Sequence, residues 1–380
     1  MKKIYITLLG LLVLQLSHSQ PPSTEKIDRV LPVRGLAIAA PSVEGMDQFL
    51  RFIEEELAPA HFNLLVLRVD WNYSYESHPE LRDPHPLTKA DVKKLVEVCN
   101  KHGIEIAPQI NLLGHQSWAN TTHNLLREYP EFDETPHIIP ERDYTAWPNT
   151  HGLYCKSYCP LHPEVHEVVF ALVDELMEVF EADFFHAGMD EVFYIGDDQC
   201  PRCGGRDKAE LFAGEVIRIS NHLALNNRRL MIWGDRLIDG KTTGIGLWEG
   251  SYNNTHRAID MIPKSVFICD WHYNRAELTS VSFAMKGFDV VTSPWNNQEV
   301  AETQLRHMID FRGHSSREMS NRFRGIVTTV WSGADSFMKA YYDPDTYKLP
   351  ATENEREELN RGGDARTLRF LMEEFRRLNR

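Results

Sequence analysis

Residues 184–192 read Phe-Phe-His-Ala-Gly-Met-Asp-Glu-Val, an apolar run that ends in two adjacent acids. From Leu31 onward, short apolar or β-branched runs of this kind alternate with longer stretches of helical periodicity. This alternation is typical of βα units around a parallel sheet. The predicted strands number eight, which is the number that closes a (β/α)₈ barrel. They lie at residues 33–40, 64–70, 104–109, 184–188, 230–233, 266–270, 289–293 and 325–331.

The segments between these strands predict helices at 90–102, 163–180, 208–226, 298–311 and 365–378. A ninth apolar run at 244–247 leaves the register of the fifth and sixth strands open. No repeat, low-complexity tract or Pro/Ser-rich linker divides the sequence. We therefore predict one α/β domain over residues 30–380, a single (β/α)₈ TIM barrel.

The first twenty residues have the composition of an export signal. Lys2 and Lys3 precede an apolar run at 4–16, and small residues follow around Ser17 and Ser19. An uncleaved anchor is the alternative, but a spanning helix needs about 20 apolar residues. The sequence thus predicts a signal peptide at 1–19, no membrane span, and export to the periplasm or the cell exterior.

The chain is acidic. Loss of Lys2 and Lys3 with the signal peptide changes the formal net charge from −14 to −16. Such a surface repels phosphate backbones and anionic lipids, so we predict no nucleic-acid partner. A neutral carbohydrate is compatible with this charge, and the oligomeric state stays open.

Six cysteines fall into two groups. Two lie singly in apolar stretches and are predicted to be buried small side chains: Cys99 and Cys269. Cys155 and Cys159 (CKSYC) and Cys200 and Cys203 (CPRCGG) are close pairs in polar surroundings. CPRCGG is similar to a zinc knuckle, and the two pairs together would form a tetrahedral Cys₄ site, whereas disulfides are the alternative in an exported chain. Either arrangement would join two loops without a part in the chemistry.

In a (β/α)₈ barrel the active site lies at the carboxyl ends of the strands. Five predicted strands end at or beside a tryptophan: Trp71, Trp233, Trp271, Trp295 and Trp331. The C–H faces of a pyranose ring stack on indole, so tryptophans that recur around one rim predict a sugar-binding site.

Asp190 and Glu191 end the fourth predicted strand. Two adjacent carboxylates are usually a solvated turn, but here they follow a strand of buried type and precede Val-Phe-Tyr. Burial and a like-charged neighbour both raise the pKa of a carboxyl group, as a general acid requires near neutral pH. We predict that this pair is catalytic.

These residues resemble glycoside hydrolase family 20, the β-N-acetylhexosaminidases, whose hallmark is a His-x-Gly-x-Asp-Glu motif after the fourth barrel strand. His186, Gly188, Asp190 and Glu191 match this motif position by position. Weaker similarity lies at 33–36, 68–70, 107–115, 232–235 and 330–332. The resemblance covers most of residues 33–335.

The resemblance implies exo-acting hydrolysis with retention, in which the 2-acetamido group of the substrate is the nucleophile. Glu191 would protonate the glycosidic oxygen and later activate water. Asp190 would orient the acetamido group and stabilise the charge that develops on its nitrogen. The implied substrate-binding residues are Arg34, Asp70, His115, His186, Trp233, Asp235, Tyr273, Trp295 and Trp331. No cofactor is implied for catalysis.

The sequence departs from the family at three places. Asn111 stands where the family commonly has an acid, and Ser332 and Gly333 follow the last Trp where an acid is common. The late-strand Tyr of the family has no counterpart at 292–297, and Tyr273 is a stand-in on another strand. These departures leave the identity of the sugar open.

Three alternatives follow. The first is a barrel glycosidase for a sugar without an N-acetyl group, and the second is a non-catalytic carbohydrate-binding barrel. The retained pair of acids argues against the second, because binding alone needs no general acid. The third is a metal-dependent barrel enzyme whose ligands would be His115, His186, Asp190, Glu191 and Asp235.

Overall fold

The computed structural model describes residues 24–139, 155–343 and 363–380. The predicted signal peptide at 1–19 lies outside this part of the chain. None of the helices described is long and apolar enough to cross a membrane.

Eight parallel strands close into a barrel in the order β1-β8-β7-β6-β5-β4-β3-β2. The strands are β1 (Val33–Ala39), β2 (Leu64–Arg68), β3 (Glu105–Leu112), β4 (Phe184–Gly188), β5 (Arg229–Trp233), β6 (Phe267–Trp271), β7 (Asp289–Ser293) and β8 (Phe323–Thr329). The predicted (β/α)₈ barrel is confirmed, with every predicted strand present and β4 and β7 at the predicted bounds. A separate hairpin pairs Ser117–Trp118 with Thr121–Thr122.

The α-helices lie around the strands. They are Glu25–Val30, Met46–Phe52, Lys89–Lys101, Asn124–Glu128, Val165–Val179, Lys208–Ala224, Gly240–Thr243, Thr279–Met285, Gln298–His314, Arg317–Ser320, Ala334–Tyr342 and Gly363–Asn379. Further helical turns, one of π and the others of 3₁₀ type, are Ile53–Leu57, Ala58–Ala60, Pro79–Leu81, Pro130–Phe132, Asp235–Leu237 and Thr255–Asp260.

Helix Lys89–Lys101 illustrates how local sequence sets these elements. Thr88 and Asp91 form a capping box that satisfies backbone N–H groups of the first turn. Val92, Leu95, Val96 and Cys99 are buried at helical spacing. This apolar stripe packs the helix toward the barrel.

The ambiguous run at 244–247 is not a strand. Gly244 takes a left-handed conformation (φ 69°) and ends the short helix Gly240–Thr243. Strand β5 therefore pairs directly with β6, with Met231 opposite Phe267 and Trp233 opposite Cys269.

The interior of the barrel is filled by buried side chains from seven of the eight strands. They are Ala37, Leu64, Val66, Ala107, Met231, Trp233, Phe267, Cys269, Trp271, Val291 and Val327. A larger apolar layer lies between the strands and the helices. Cys99 and Cys269 are both buried, as predicted. Because the lumen is packed, a ligand site at the barrel has to lie in the loops at the carboxyl ends.

Candidate active site

The loop after β4 changes direction sharply at the two acids. Gly188, Met189 and Glu191 have φ values of 65°, 65° and 49°, in the left-handed region that disfavours side chains with a Cβ. A Cβ at position 188 would lie 2.5 Å from Oδ1 of Asn111, so the approach of β4 to β3 requires glycine there. Met189 and Glu191 keep a strained backbone, a feature that clusters at functional sites.

Both acids contact one histidine. Nε2 of His115 lies 3.1 Å from Oδ2 of Asp190 and 3.2 Å from Oε2 of Glu191. Asp190 and Glu191 are buried, and Oδ1 of Asp190 has no hydrogen-bond partner among the described residues. The structure therefore brings three of the predicted residues into one cluster, with an acceptor oxygen that protein groups leave unused.

The charges in this cluster are coupled. Burial lowers the pKa of His115, but the charge of Asp190 and the hydrogen bonds of Asp190 and Glu191 act together against burial, and this pKa is raised well above its ordinary value. Burial likewise opposes ionisation of Asp190, and the charge and hydrogen bond of His115 nevertheless hold the pKa of Asp190 below its usual range. Asp190 is therefore held as a carboxylate by the imidazolium of His115, and it lacks the raised pKa that a general acid requires.

Asp235 supports Glu191 from below. Its Oδ2 accepts the backbone N–H of Glu191 at 2.9 Å and an N–H of Arg236 at 2.6 Å, while Oδ1 accepts the indole N–H of Trp271 at 3.2 Å. Burial raises the pKa of Asp235 to about 6. The prediction that Asp235 binds sugar is wrong, because its side chain is fully buried and both oxygens are engaged.

His186 and Trp233 also lie beneath the rim. Nδ1 of His186 accepts the backbone N–H of Gly188 at 3.0 Å, and the imidazole packs on Trp233 with ring centroids 4.5 Å apart. Burial lowers the pKa of His186 to about 3, so the ring is neutral. Both side chains are completely buried. Both side chains support the strand end, and direct contact of either one with a sugar stays a prediction.

The other predicted aromatic residues form a continuous, partly exposed group. The indole N–H of Trp331 donates to the hydroxyl of Tyr273 at 2.7 Å. Tyr273 contacts Trp295, with ring centroids 5.4 Å apart, and Trp331 contacts the buried Trp233 at 5.7 Å. The charges of Asp190 and Glu191 contribute to the raised pKa of Tyr273, whose main cause is burial. This group therefore borders the cluster of acids.

Asp70 lies at the end of β2 on the same rim. Its carboxylate accepts from the backbone N–H of Asn111 at 2.9 Å and faces Arg68 at 3.6 Å. Burial raises the pKa of Asp70, and its φ of 44° is left-handed. The guanidinium of Arg68 lies 5.5 Å from the ring centre of Trp331, within range of a cation–π contact. Arg68 thus lies at the rim beside Asp70 and Trp331.

The prediction for Arg34 is wrong. This residue is the second of β1, at the amino end of the barrel, and its side chain is 2% exposed. It donates to the backbone carbonyls of Leu31 and His61 and pairs with Asp28 at 2.9 Å. Five further residues at about 3.3 Å each separate it from the carboxyl end of the strand.

The metal-dependent alternative is not supported. Its ligand set needs Asp235 and His186, but Asp235 is bound by protein donors and one ring nitrogen of His186 accepts from the backbone. Within the described residues, potential ligand atoms come together here only from His115, Cys155 and Glu191. The Cys155 sulfur lies 3.3 Å from the backbone carbonyl oxygen of Glu191, to which it donates.

The predicted grouping of four cysteines is wrong as well. Cys155 lies beside Glu191, whereas Cys159, Cys200 and Cys203 cluster with Glu134. Each of these thiols is free. Sequence spacing suggested the two pairs, and only the fold could separate one member from them.

Comparison with known proteins identifies the family of the chain. Residues 70–332 match the family described as glycosyl hydrolase family 20, catalytic domain. The sequence is 22% identical over 299 residues to hexosaminidase D of Bos taurus, covering 72% of this chain and 77% of that protein. It is 25% identical over 210 residues to a beta-hexosaminidase of Akkermansia muciniphila, covering 48% of this chain and 40% of that protein.

The fold has solved counterparts. A chitobiase structure from Flavobacterium johnsoniae superposes with a TM-score of 0.60 and 20% identity, covering 90% of this chain and 52% of that one. This chain therefore spans about half of the Flavobacterium chitobiase and less than half of the Akkermansia beta-hexosaminidase. Because the family match extends over more than half of its residues, this chain belongs to glycosyl hydrolase family 20 and is a glycoside hydrolase.

Proposed function

We propose that this protein is an exported, exo-acting β-N-acetylhexosaminidase that works with retention through the acetamido group of its substrate. The observation that carries the proposal is the placement of Asp190 and Glu191 on one nitrogen of His115, with Oδ1 of Asp190 unused. Export rests on the composition of residues 1–19 alone.

Glu191 is the general acid in this proposal. Its carboxyl proton passes to the glycosidic oxygen as the bond to the anomeric carbon breaks. The carbonyl oxygen of the acetamido group attacks that carbon and forms a cyclic oxazolinium ion. The Glu191 carboxylate then takes a proton from water, which opens the ring and gives a product of retained configuration.

Asp190 is suited to the opposite side of the same sugar. Because His115 keeps its pKa low, Asp190 is ionised at neutral pH. Its unused Oδ1 can accept the acetamido N–H, and its negative charge stabilises the positive charge that develops on this nitrogen. His115 holds the two carboxyl groups at a fixed separation.

Tyr273 and Trp331 complete the acetamido pocket in this proposal. The Tyr273 oxygen accepts the indole N–H of Trp331 and also hydrogen-bonds with Thr329, and we assign its hydroxyl proton to the acetamido carbonyl oxygen of the bound sugar. This arrangement supports Tyr273 as the counterpart of the tyrosine that is absent from 292–297. Arg68 and Asp70 are the charged groups placed to bind sugar hydroxyls.

A glycosidase for another sugar is the second candidate. It is favoured by the position of Arg34 at the amino end of the barrel and by Asn111, which replaces an acid at the rim. One relative of this chain is named lacto-N-biosidase, over 17% of its length, so the matched barrel is not confined to proteins named hexosaminidases.

The test is release of chromophore from a matched pair of aryl β-glycosides, with and without the 2-acetamido group, by wild type and Asp190→Asn. We expect wild-type activity on the N-acetylated substrate alone. Asp190→Asn should lower kcat on that substrate about 10²–10³-fold, since it removes the negative charge that stabilises the developing oxazolinium. Equal rates of wild type on both substrates would contradict substrate assistance and favour the second candidate.

A further inference from the structure

Four buried side chains from the two loops that follow β3 and β4 meet in one cluster. They are Glu134, Cys159, Cys200 and Cys203, and their ligand atoms all lie within 4.8 Å of one another. Glu134 and Cys159 follow β3, whereas the other two follow β4. The sulfurs of Cys159 and Cys203 are 3.4 Å apart, and those of Cys159 and Cys200 are 3.7 Å apart.

These sulfur–sulfur distances are close to those between the ligands of one bound metal ion. Four ligands around zinc with Zn–S bonds of about 2.3 Å place neighbouring sulfurs about 3.8 Å apart in a tetrahedron. A disulfide bond would require about 2.05 Å. The three thiols also form an odd set, so disulfide pairing among them leaves one cysteine over.

Glu134 points to a cation independently. Its side chain is completely buried, and Oε1 accepts the backbone N–H of Asp197 at 3.0 Å. Among the described residues, Oε2 has no nitrogen or oxygen partner, and the only other hydrogen bonds to the carboxylate come from the thiols of Cys200 and Cys203. No Lys, Arg or His forms an ion pair with Glu134 within the described ranges. A buried carboxylate oxygen without a partner is unfavourable unless a positive charge satisfies it.

The backbone around the sulfurs is arranged for thiolates. The N–H groups of Arg202 and Cys203 hydrogen-bond to the Cys200 sulfur, and the N–H of Leu161 does so to Cys159. A Cβ at Gly204 would lie 2.9 Å from the carbonyl oxygen of Cys200, so the tight turn requires glycine. Backbone N–H groups directed at cysteine sulfurs disperse the negative charge of a metal-bound thiolate.

We propose that Glu134, Cys159, Cys200 and Cys203 bind one Zn²⁺ in a closed, tetrahedral Cys₃Glu site. Three thiolates select zinc over magnesium and calcium, and the fourth ligand fills the last position, as in a structural site. The ion would connect the loop that carries His115 to the loop that carries Glu191. Its role is to hold these two loops together.

The first test is the metal content of the full-length protein, purified without chelator and measured by inductively coupled plasma mass spectrometry. We expect about one zinc per chain in wild type and in Cys155→Ser, the matched control from the same CKSYC segment. Cys159→Ser and Cys200→Ser should each lose the zinc. Wild type without zinc after dialysis against Zn²⁺ would overturn the proposal, as would full zinc content in both cluster variants.

Thiol titration in denaturant with chelator separates zinc from disulfides. All six cysteines should react if zinc holds the cluster, whereas four would react if a disulfide forms. The second result overturns the proposal. Removal of zinc by chelator should also lower the Tm of wild type, because the ion binds only the folded site.

Cobalt substitution tests the fourth ligand. The visible absorption of Co²⁺ reports the identity of its ligands, so Glu134→Gln should change the spectrum and Cys155→Ser should leave it unchanged. The reverse pattern would assign the fourth position to Cys155 and overturn the Cys₃Glu set. Far-UV circular dichroism of both variants checks that they are folded.

Discussion

Two clusters in this barrel contain the same residue types, one histidine between two acids, in different arrangements. At the rim, a single nitrogen of His115 contacts both Asp190 and Glu191. After β6, the two nitrogens of His272 are divided: Nδ1 lies 2.7 Å from Glu249 and Nε2 lies 3.2 Å from Asp270. Thr279 adds a hydroxyl that hydrogen-bonds to Nε2 and to Asp270.

The difference separates a reactive cluster from a structural one. Around His272 each acid has its own nitrogen, the imidazole is buried, and its pKa is raised to about 10 by the two acids, which outweigh burial. Oδ1 of Asp270 and Oδ1 of Asp190 both lack a hydrogen bond among the described residues. The Asp270 oxygen lies 3.2 Å from Nε2 of His272, whereas Asp190 contacts His115 through its other oxygen, Oδ2, and leaves Oδ1 over. The arrangement of hydrogen bonds, more than the residue types, therefore indicates which cluster can receive a substrate.

The largest expected effect comes from removing an acid from the rim cluster. Glu191→Gln should lower kcat about 10²–10⁴-fold on substrates with poor leaving groups, because only the proton donor is lost. The loss should be smaller on aryl glycosides whose leaving group needs no proton. Steady-state kinetics on both substrate types, with inhibitor binding as a test of the intact site, measures this.

Glu249→Gln is the matched control, since it removes an acid from the other cluster. We expect its kcat to stay within about threefold of wild type, because Glu249 contacts His272 and lies outside the proposed mechanism. If both variants lose activity equally, the distinction between the clusters is wrong.

Removal of the central histidine of the second cluster should lower the free energy of unfolding. His272→Gln leaves Asp270 and Glu249 without the buried positive charge between them. Removing one partner of a buried ion pair destabilises a protein by roughly 3–5 kcal/mol, so urea unfolding should show a loss of about 3 kcal/mol. A free energy of unfolding within 0.5 kcal/mol or so of wild type would mean that the cluster is not ionised.

The equivalent substitution in the rim cluster should lower kcat. His115→Gln removes the positive charge that lowers the pKa of Asp190, and we expect kcat to fall about 10–100-fold, or ~1.4–2.8 kcal/mol. The pKa of Asp190 then rises, so the acidic limb of the pH profile of kcat should move to higher pH. An unchanged limb would show that His115 does not set the ionisation of Asp190.

The barrel could be predicted from sequence because its signal is repeated. Alternation of short apolar runs with helical stretches placed all eight strands, and two of them at the observed bounds. Ends of strands were less certain, since β8 begins two residues before its predicted start and ends two before its predicted end. Local patterns fix the existence of a strand, whereas its ends depend on pairing with neighbours.

The site was predicted in part. His115, Asp190 and Glu191 do meet, and Tyr273, Trp295 and Trp331 border them. The prediction for Arg34 was wrong because the carboxyl end of a strand, and not its start, faces the site. Arg68 could have been found from its place at the end of β2. Glu134 carried no signal, because its approach to the cysteines depends on how two loops fold together.

The smallest expected effect is the pH dependence of the stability that the charge of His272 contributes. Because the folded pKa of His272 is about 10, against an ordinary value of 6.5, its stabilising charge is fully present below pH 6.5 and is lost as pH rises toward 10. The difference in Tm between wild type and His272→Gln should therefore stay constant from pH 5 to 6.5. It should narrow by a few degrees between pH 7 and 10, as calorimetry of both proteins can measure. A difference in Tm that widens as the pH rises would mean that His272 is neutral in the folded state. The cluster around His272 would then, like the cluster around His115, contain a group that can change its charge.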